Sequence, residues 1–161
     1  MKWWNYFFIY SILGHLFETI IGFFWSGESG ILYGFWTPIY GIGVVTILCL
    51  FHWLKSTKHP YFYLWISSAV VLSVFEWIGG TFLESVFDIV MWDYERIPFS
   101  LGHYVSLPVA CIWGFGSLII VKWVHPFFKK VAQKVPKWGT ILFVLLFLVD
   151  LFWTIYQKVV L

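Results

Sequence analysis

The sequence predicts an all-α membrane protein of five transmembrane helices, and three observations carry that prediction. Hydrophobic residues make up 61% of the 161 residues and charged residues only 11%, where a soluble domain carries about 25% charged residues. Mean hydropathy is +0.84 and 24% of the chain is aromatic, more apolar surface than a domain of this size can withdraw from water. Two stretches, 29–54 and 97–121, contain no Asp, Glu, Lys or Arg, and each exceeds the roughly 20 apolar residues that a bilayer crossing needs. This composition excludes an ordinary soluble enzyme, a disordered tail and a nucleic-acid binder. The net charge of +2 offers no general attraction to polyanions.

The spans fall at about 3–25, 37–54, 61–85, 104–124 and 138–160 of one integral membrane domain. They are far longer than the roughly 10 alternating residues of a barrel strand. The first is expected to stay in place rather than be cleaved, since no small-residue cleavage site interrupts Trp3 to Trp25 and the run contains His15 and Glu18. Between the spans lie an outer loop, 86–103, and a basic cytoplasmic loop, 122–137. Cys49 and Cys111 sit in apolar runs, where a free cysteine behaves as a small buried hydrophobe; no disulfide or metal cluster is expected of them.

Lysine and arginine set the direction. With the N-terminus in the cytoplasm, Lys2, Lys55, Lys58, Lys122, Lys129, Lys130, Lys134 and Lys137 fall inside and only Arg96 and Lys158 outside, a strong positive-inside bias. The C-terminus is then external. Trp3, Trp4, Trp53, Trp92, Trp123 and Trp138 lie near span ends as an aromatic belt. The basic stretch with His125-Pro126 reads as an anchor on anionic lipid or as a docking element for a cytoplasmic partner; the residues do not separate the two.

An internal repeat is expected. Phe17-Glu18-Thr19-Ile20-Ile21-Gly22-Phe23-Phe24 and Phe75-Glu76-Trp77-Ile78-Gly79-Gly80-Thr81-Phe82 both read F-E-x-I-x-G-x-F. Tyr40-Gly41-Ile42-Gly43 and Trp113-Gly114-Phe115-Gly116 both read aromatic-G-x-G, with Pro38 and Pro108 upstream. The arrangement is a parallel 2+2 repeat about an axis along the membrane normal, plus an unmatched fifth helix; duplicated transporters commonly hold substrate at the interface between repeats. The alternative is chance similarity in apolar text.

Ionisable groups in a span are costly, by about 2.5–3.5 kcal/mol for a central charge on insertion scales, and default to function. Ser11, His15, Glu18 and Gly22 share one helical stripe, and Ser73, Glu76, Gly80, Glu84 and Asp88 another. Small residues beside each glutamate point it into a helix seam or a wet cavity. Carboxylates at one depth share a proton or hold a cation; the structural alternative is a set of Glu–His, Glu–Arg or Glu–Trp pairs locking the bundle. Asp150, alone on its helix, is read equally as an inter-helix hydrogen bond or a functional group.

In the outer loop, Trp92-Asp93-Tyr94-Glu95-Arg96-Ile97-Pro98-Phe99-Ser100-Leu101-Gly102-His103, Pro98 and Gly102 exclude a continuous helix. The loop either lies on the surface on its aromatics or dips back, with Asp93, Arg96 and His103 closing over Glu84 and Asp88. A shorter counterpart is Gly27-Glu28-Ser29-Gly30 followed by Tyr33-Gly34-Phe35-Trp36-Thr37-Pro38.

Leu32-Tyr33-Gly34, Pro38-Ile39-Tyr40-Gly41-Ile42-Gly43, Glu76, Glu84, Trp92-Asp93-Tyr94 with Pro98 and Gly102, and Trp113-Gly114 together resemble the type IV ABC-transporter permease family of small multi-pass bacterial membrane proteins, which has transmembrane animal relatives. The resemblance covers roughly residues 7–120. It differs from the family at Gly30-Ile31, where the family usually has an arginine before the first glycine motif. It differs again at Ser100-Leu101-Gly102-His103, in place of Asn-Leu-x-Gly-Arg.

The leading functional expectation is a permease-like subunit in the cell membrane that moves a small molecule or ion. Its substrate- or proton-binding candidates are Glu18, His15, Glu76, Glu84, Asp93 and His103, with Asp88, Arg96 and Asp150 secondary. No cofactor and no nucleic acid is expected. The sequence carries no G-x-x-x-x-G-K-[ST], so ATP-driven transport requires a separate ATPase subunit. Five helices are few for a pathway, so a homo-oligomer or larger complex in the lipid bilayer is expected. The alternatives are a small membrane enzyme acting on lipid or lipid-linked headgroups, using the same acids and His103 for acid–base or metal-ligand chemistry, and a structural or regulatory subunit.

Overall fold

Proline punctuation sets the helix starts. Pro38 and Pro60 open the second and third helices, and Pro108 and Pro136 flank the starts of two later ones, where a missing N–H goes unnoticed because the first turn has no partner for it. The computed structural model describes residues 2–25 and 30–160. The expectation for Gly27-Glu28-Ser29 lies outside the described residues, as do the side chains of 21–25. In chain order the elements are α1 (Lys2–Trp25), α2 (Pro38–Leu54), α3 (Pro60–Phe87), β1 (Ser100–Leu101), β2 (Val105–Ser106), α4 (Leu107–Ile119), α5 (His125–Lys134) and α6 (Lys137–Ile155), with π-helical turns at Ile120–Val124 and Tyr156–Val160. The chain is therefore a mostly helical protein. Pro60–Phe87, Leu107–Lys134 and Lys137–Lys158 are each long and apolar enough to cross a membrane, and Pro38–Leu54 is a shorter apolar helix.

One local expectation is corrected. The stretch 122–137, read as a loop, is helical to Lys134. Nothing between Phe127 and Val135 breaks a helix, and Pro126 sits at the second position of α5. Its ring crowds the carbonyl four residues back, and the wider π-helical turn, in which the His125 N–H bonds to Ile120 O, accommodates it. At the other end of the third span, α3 stops because Asp88 takes a left-handed conformation (φ 55°). The N–H groups of Asp88 and Ile89 turn back onto Glu84 O and Leu83 O at 3.0 and 3.3 Å, closing the last turn.

The chain divides into two compact units, Met1–Val45 with Phe127–Leu161, and Thr46–Pro126. In the first, Phe8 packs among Trp36, Phe143 and Phe147. A buried amide fixes three helix ends: Asn5 Nδ2 donates to Ala132 O on α5 at 3.0 Å, and Thr140 Oγ1 on α6 donates to Asn5 Oδ1 at 2.6 Å. In a bilayer such inter-helix bonds contribute about 0.6–2 kcal/mol each. In the second unit, α3 buries the stripe Leu64, Ser68, Ser73, Glu76 and Gly80. There α3 pairs mainly with α4, and the antiparallel hairpin β1–β2 sets Ser100 opposite Ser106. Cys49 and Cys111 are free and half-buried.

In each unit a glycine among the described residues lets two helix backbones touch. A Cβ on Gly41 would lie 2.5 Å from Phe7 O, and one on Gly114 would lie 2.7 Å from Trp65 O. Phe7 stands eleven residues before Glu18, and Trp65 eleven before Glu76. Nothing lies within 4 Å of a Cβ built on Gly116. Gly41→Ala and Gly114→Ala should each destabilise the detergent-solubilised protein by about 1–3 kcal/mol in thermal unfolding, while Gly116→Ala leaves the midpoint unchanged.

Candidate functional site

A carboxylate on a spanning helix must receive its hydrogen bonds from the protein, because lipid supplies none. In the first unit Glu18 is half-buried on α1. Its Oε2 accepts from Thr37 Oγ1 at 3.2 Å, and Tyr40 on the first turn of α2 supplies a second side-chain hydrogen bond. Thr37 itself is buried and anchored by its backbone N–H to Ser11 O at 3.0 Å. His15, one turn before Glu18, packs its ring edge-on against Phe35, and its buried Nδ1 has no hydrogen-bond partner among the described residues.

Asp150 explains why this segment sits where it does. Its Oδ1 accepts from Tyr33 N at 3.2 Å, and its Oδ2 from Gly34 N at 2.9 Å and Trp36 Nε1 at 2.6 Å. Asp150, read as an inter-helix hydrogen bond or a functional group, bonds here to the irregular segment 33–36 rather than to another helix. The loop it pins carries Thr37 to Glu18.

In the second unit Glu76 is buried on α3, and Tyr94 Oη donates to its Oε1 at 2.8 Å. The Trp113 indole faces the same carboxylate. Ser73, one turn earlier, is buried with no hydrogen-bond partner for Oγ among the described residues. Thus Glu18 and Glu76 are each faced by the aromatic residue of an aromatic-G-x-G motif (Tyr40 and Trp113). Each also has, three residues before it, a buried polar atom without a hydrogen-bond partner among the described residues, on His15 and Ser73.

The segment after α3 folds back over that helix, and here the structure corrects the expected contacts. The reaching side chains are tyrosines. Tyr104 is buried, its ring covers Gly80, and its Oη donates to Glu84 Oε2 at 2.8 Å. Trp92 packs edge-on against Tyr104. Among the described residues Asp93, Arg96 and His103 make no ion pair with Glu84 or Asp88; all three are exposed, and Asp88 serves as the cap of α3. The physical reason is charge: a phenol brings a neutral donor to depth, whereas these three ionisable groups keep their solvation by staying outside. In the sequence Tyr94 stood only as part of the Trp92-Asp93-Tyr94 motif and Tyr104 as the start of the fourth span, neither as a partner for a glutamate. Their alternation with Asp93 and His103, polar tip beside charged neighbour, was the available signal.

Asp93, Glu95 and His103 each bring a ligand atom within 4.8 Å of one another at the exposed hairpin. What holds them is local. Asp93 Oδ1 accepts from Glu95 N at 2.8 Å and faces His103 Nδ1 at 3.4 Å. The Glu95 amide first, and then His103, hold the Asp93 carboxyl below its ordinary value.

A family model described as "Putative ABC-transporter type IV" matches residues 3–155. The chain belongs to that family. It is accordingly an ABC-transporter-related membrane protein. No curated protein and no solved structure matches it.

Two outcomes follow for the loop. Tyr94→Phe and Tyr104→Phe, each removing one bond of about 1 kcal/mol, should speed hydrogen exchange across 92–106 about fivefold, whereas Arg96→Gln leaves it unchanged. Because the folded Asp93 pKa lies below its unfolded value, its contribution is present above about pH 4 and is lost as pH falls through the lowered folded value. Protease nicking of 92–106 should therefore rise on acidification in the wild type, and Asp93→Asn should show the raised level already at pH 7.

Proposed function

We propose that this chain is the membrane-embedded subunit of a transporter for a small molecule or ion, and that Glu18 and Glu76 are its proton- or cation-exchanging groups. The observation that carries the reading is the pairing of each glutamate with the same constellation. A backbone contact at a helix-crossing glycine lies eleven residues upstream, the aromatic of the following glycine motif faces the carboxylate, and a buried polar atom lacking a partner sits one turn before it. Two segments with this much in common support a parallel 2+2 duplication with α6 unmatched.

In this reading the five apolar helical segments all span, the N-terminus is cytoplasmic and the C-terminus external, following the lysine distribution. Among the described residues each carboxylate is held by neutral donors, Thr37 and Tyr40 for Glu18 and Tyr94 for Glu76, with the neutral Trp113 indole facing the second. Neutral donors leave the charge of the carboxylate open to change, which an arginine or lysine partner would not. The unpartnered His15 Nδ1 and Ser73 Oγ give an arriving cation or water a polar atom to meet. Glu84 and the exposed Asp93 and His103 stand at the approach to Glu76. Membership of the family supports a separate ATPase as the energy source, with several copies of the chain or other subunits completing the pathway.

The test is proton flux in proteoliposomes holding a pH-sensitive dye under an imposed potential, with and without membranes containing co-purified partners. Glu18→Gln and Glu76→Gln should each lower flux about tenfold or more while eluting as the wild type does. Unchanged flux in both variants would defeat the assignment.

A further inference from the structure

We propose that the first unit carries a binding site for one anionic phospholipid, with an acyl chain in a groove between α1 and α6 and the headgroup on the lysines where α5 meets α6. The inference stands apart from the transport reading.

The groove has a volume of about 240 Å³ and is lined by Trp4 on α1 and by Thr140, Ile141, Val144 and Leu145 on α6. Its walls are almost wholly apolar, and the α6 residues form one stripe along the helix. Such a trough suits a hydrocarbon chain. Its level is set by the Asn5 clasp. By bonding Ala132 O and receiving Thr140 Oγ1, Asn5 holds the start of α1, the C-terminal half of α5 and the start of α6 at one height. That height is the end of two apolar helices, where headgroups lie.

The charge at that height is uniformly positive. Lys137 lies one turn before Ile141 on the same face of α6, at the end of the groove stripe. On α5 the side opposite the buried Ala132 carries Phe127, Lys130, Val131 and Lys134, all exposed. Apolar side chains interleaved with lysines characterise a helix lying at the boundary of headgroup and acyl chain. The exposed Trp3 and Trp138 suit the same level. No Asp or Glu occurs between residues 97 and 149, so no neighbouring carboxylate along this stretch competes for the lysines. A zwitterionic headgroup would leave their charge uncompensated, which is why the site selects an anionic lipid.

The full-length chain is to be purified from nanodiscs of equimolar phosphatidylglycerol and phosphatidylcholine, and its retained lipid counted by native mass spectrometry. The wild type should retain phosphatidylglycerol in preference, less so at high salt. Lys134→Gln with Lys137→Gln should lower that preference about fivefold for each lysine neutralised, with elution unchanged since both side chains are exposed. Val144→Trp, or Leu145→Trp if the first does not fold, should reduce retention of both lipids and leave their ratio intact. Equal retention of the two lipids by the wild type would overturn the proposal. So would a lysine variant that keeps the full preference, or one that loses only a co-purifying ATPase.

Discussion

A carboxylate inside a bilayer has no water to turn to, and that single constraint organises the irregular parts of this molecule. Unsatisfied polar groups at depth are expensive, so each acidic residue on a spanning helix gathers donors from the nearest chain that can bend to it. Asp150 gathers two backbone amides and an indole; Glu18 gathers a threonine and a tyrosine; Glu76 gathers a tyrosine. The segments 30–37 and 88–106 lie against helices because they carry those donors. The rest of the packing, aromatic and small-residue, fills the space that this arrangement leaves.

The donors share a chemical property. None is cationic, so none adds a second desolvation cost or locks the carboxylate in its charged form. A glutamate solvated by hydroxyls has no fixed counter-charge beside it among the described residues. Asp150, with three donors and a loop to hold, is by contrast occupied. The same kind of residue thus serves as a staple in one place and as a candidate exchanger in another, according to what surrounds it.

The outer segment illustrates how sequence reasoning and tertiary contact diverge. Asp93, Arg96 and His103 were expected as the groups that would close over Glu84 and Asp88. The free energy of hydration decided otherwise: the ionisable members stay in solvent around their own turn, and Tyr94 and Tyr104 reach inward. The glycines show the complementary case. Gly41 and Gly114 were visible as a repeated motif, and the structure supplies the reason in two backbone contacts that a methyl group would prevent.

Length and hydropathy by themselves determined that the chain is helical, roughly where its long apolar helices lie, and that it belongs in a membrane, because burying a backbone in lipid leaves a long apolar segment little choice but to bond internally. They also located Glu18, Glu76 and Asp150 as groups that need partners. Only the tertiary structure decided who those partners are. Thr37 lies nineteen residues from Glu18, Tyr94 eighteen from Glu76 and Trp36 a hundred and fourteen from Asp150. Side-chain hydrogen bonds across such separations depend on the direction in which a loop returns, and no local periodicity records that direction. The basic stretch 122–137 is the same lesson in secondary structure: its charge marked it as a loop, while its lack of helix breakers and a single widened turn before Pro126 made it helix.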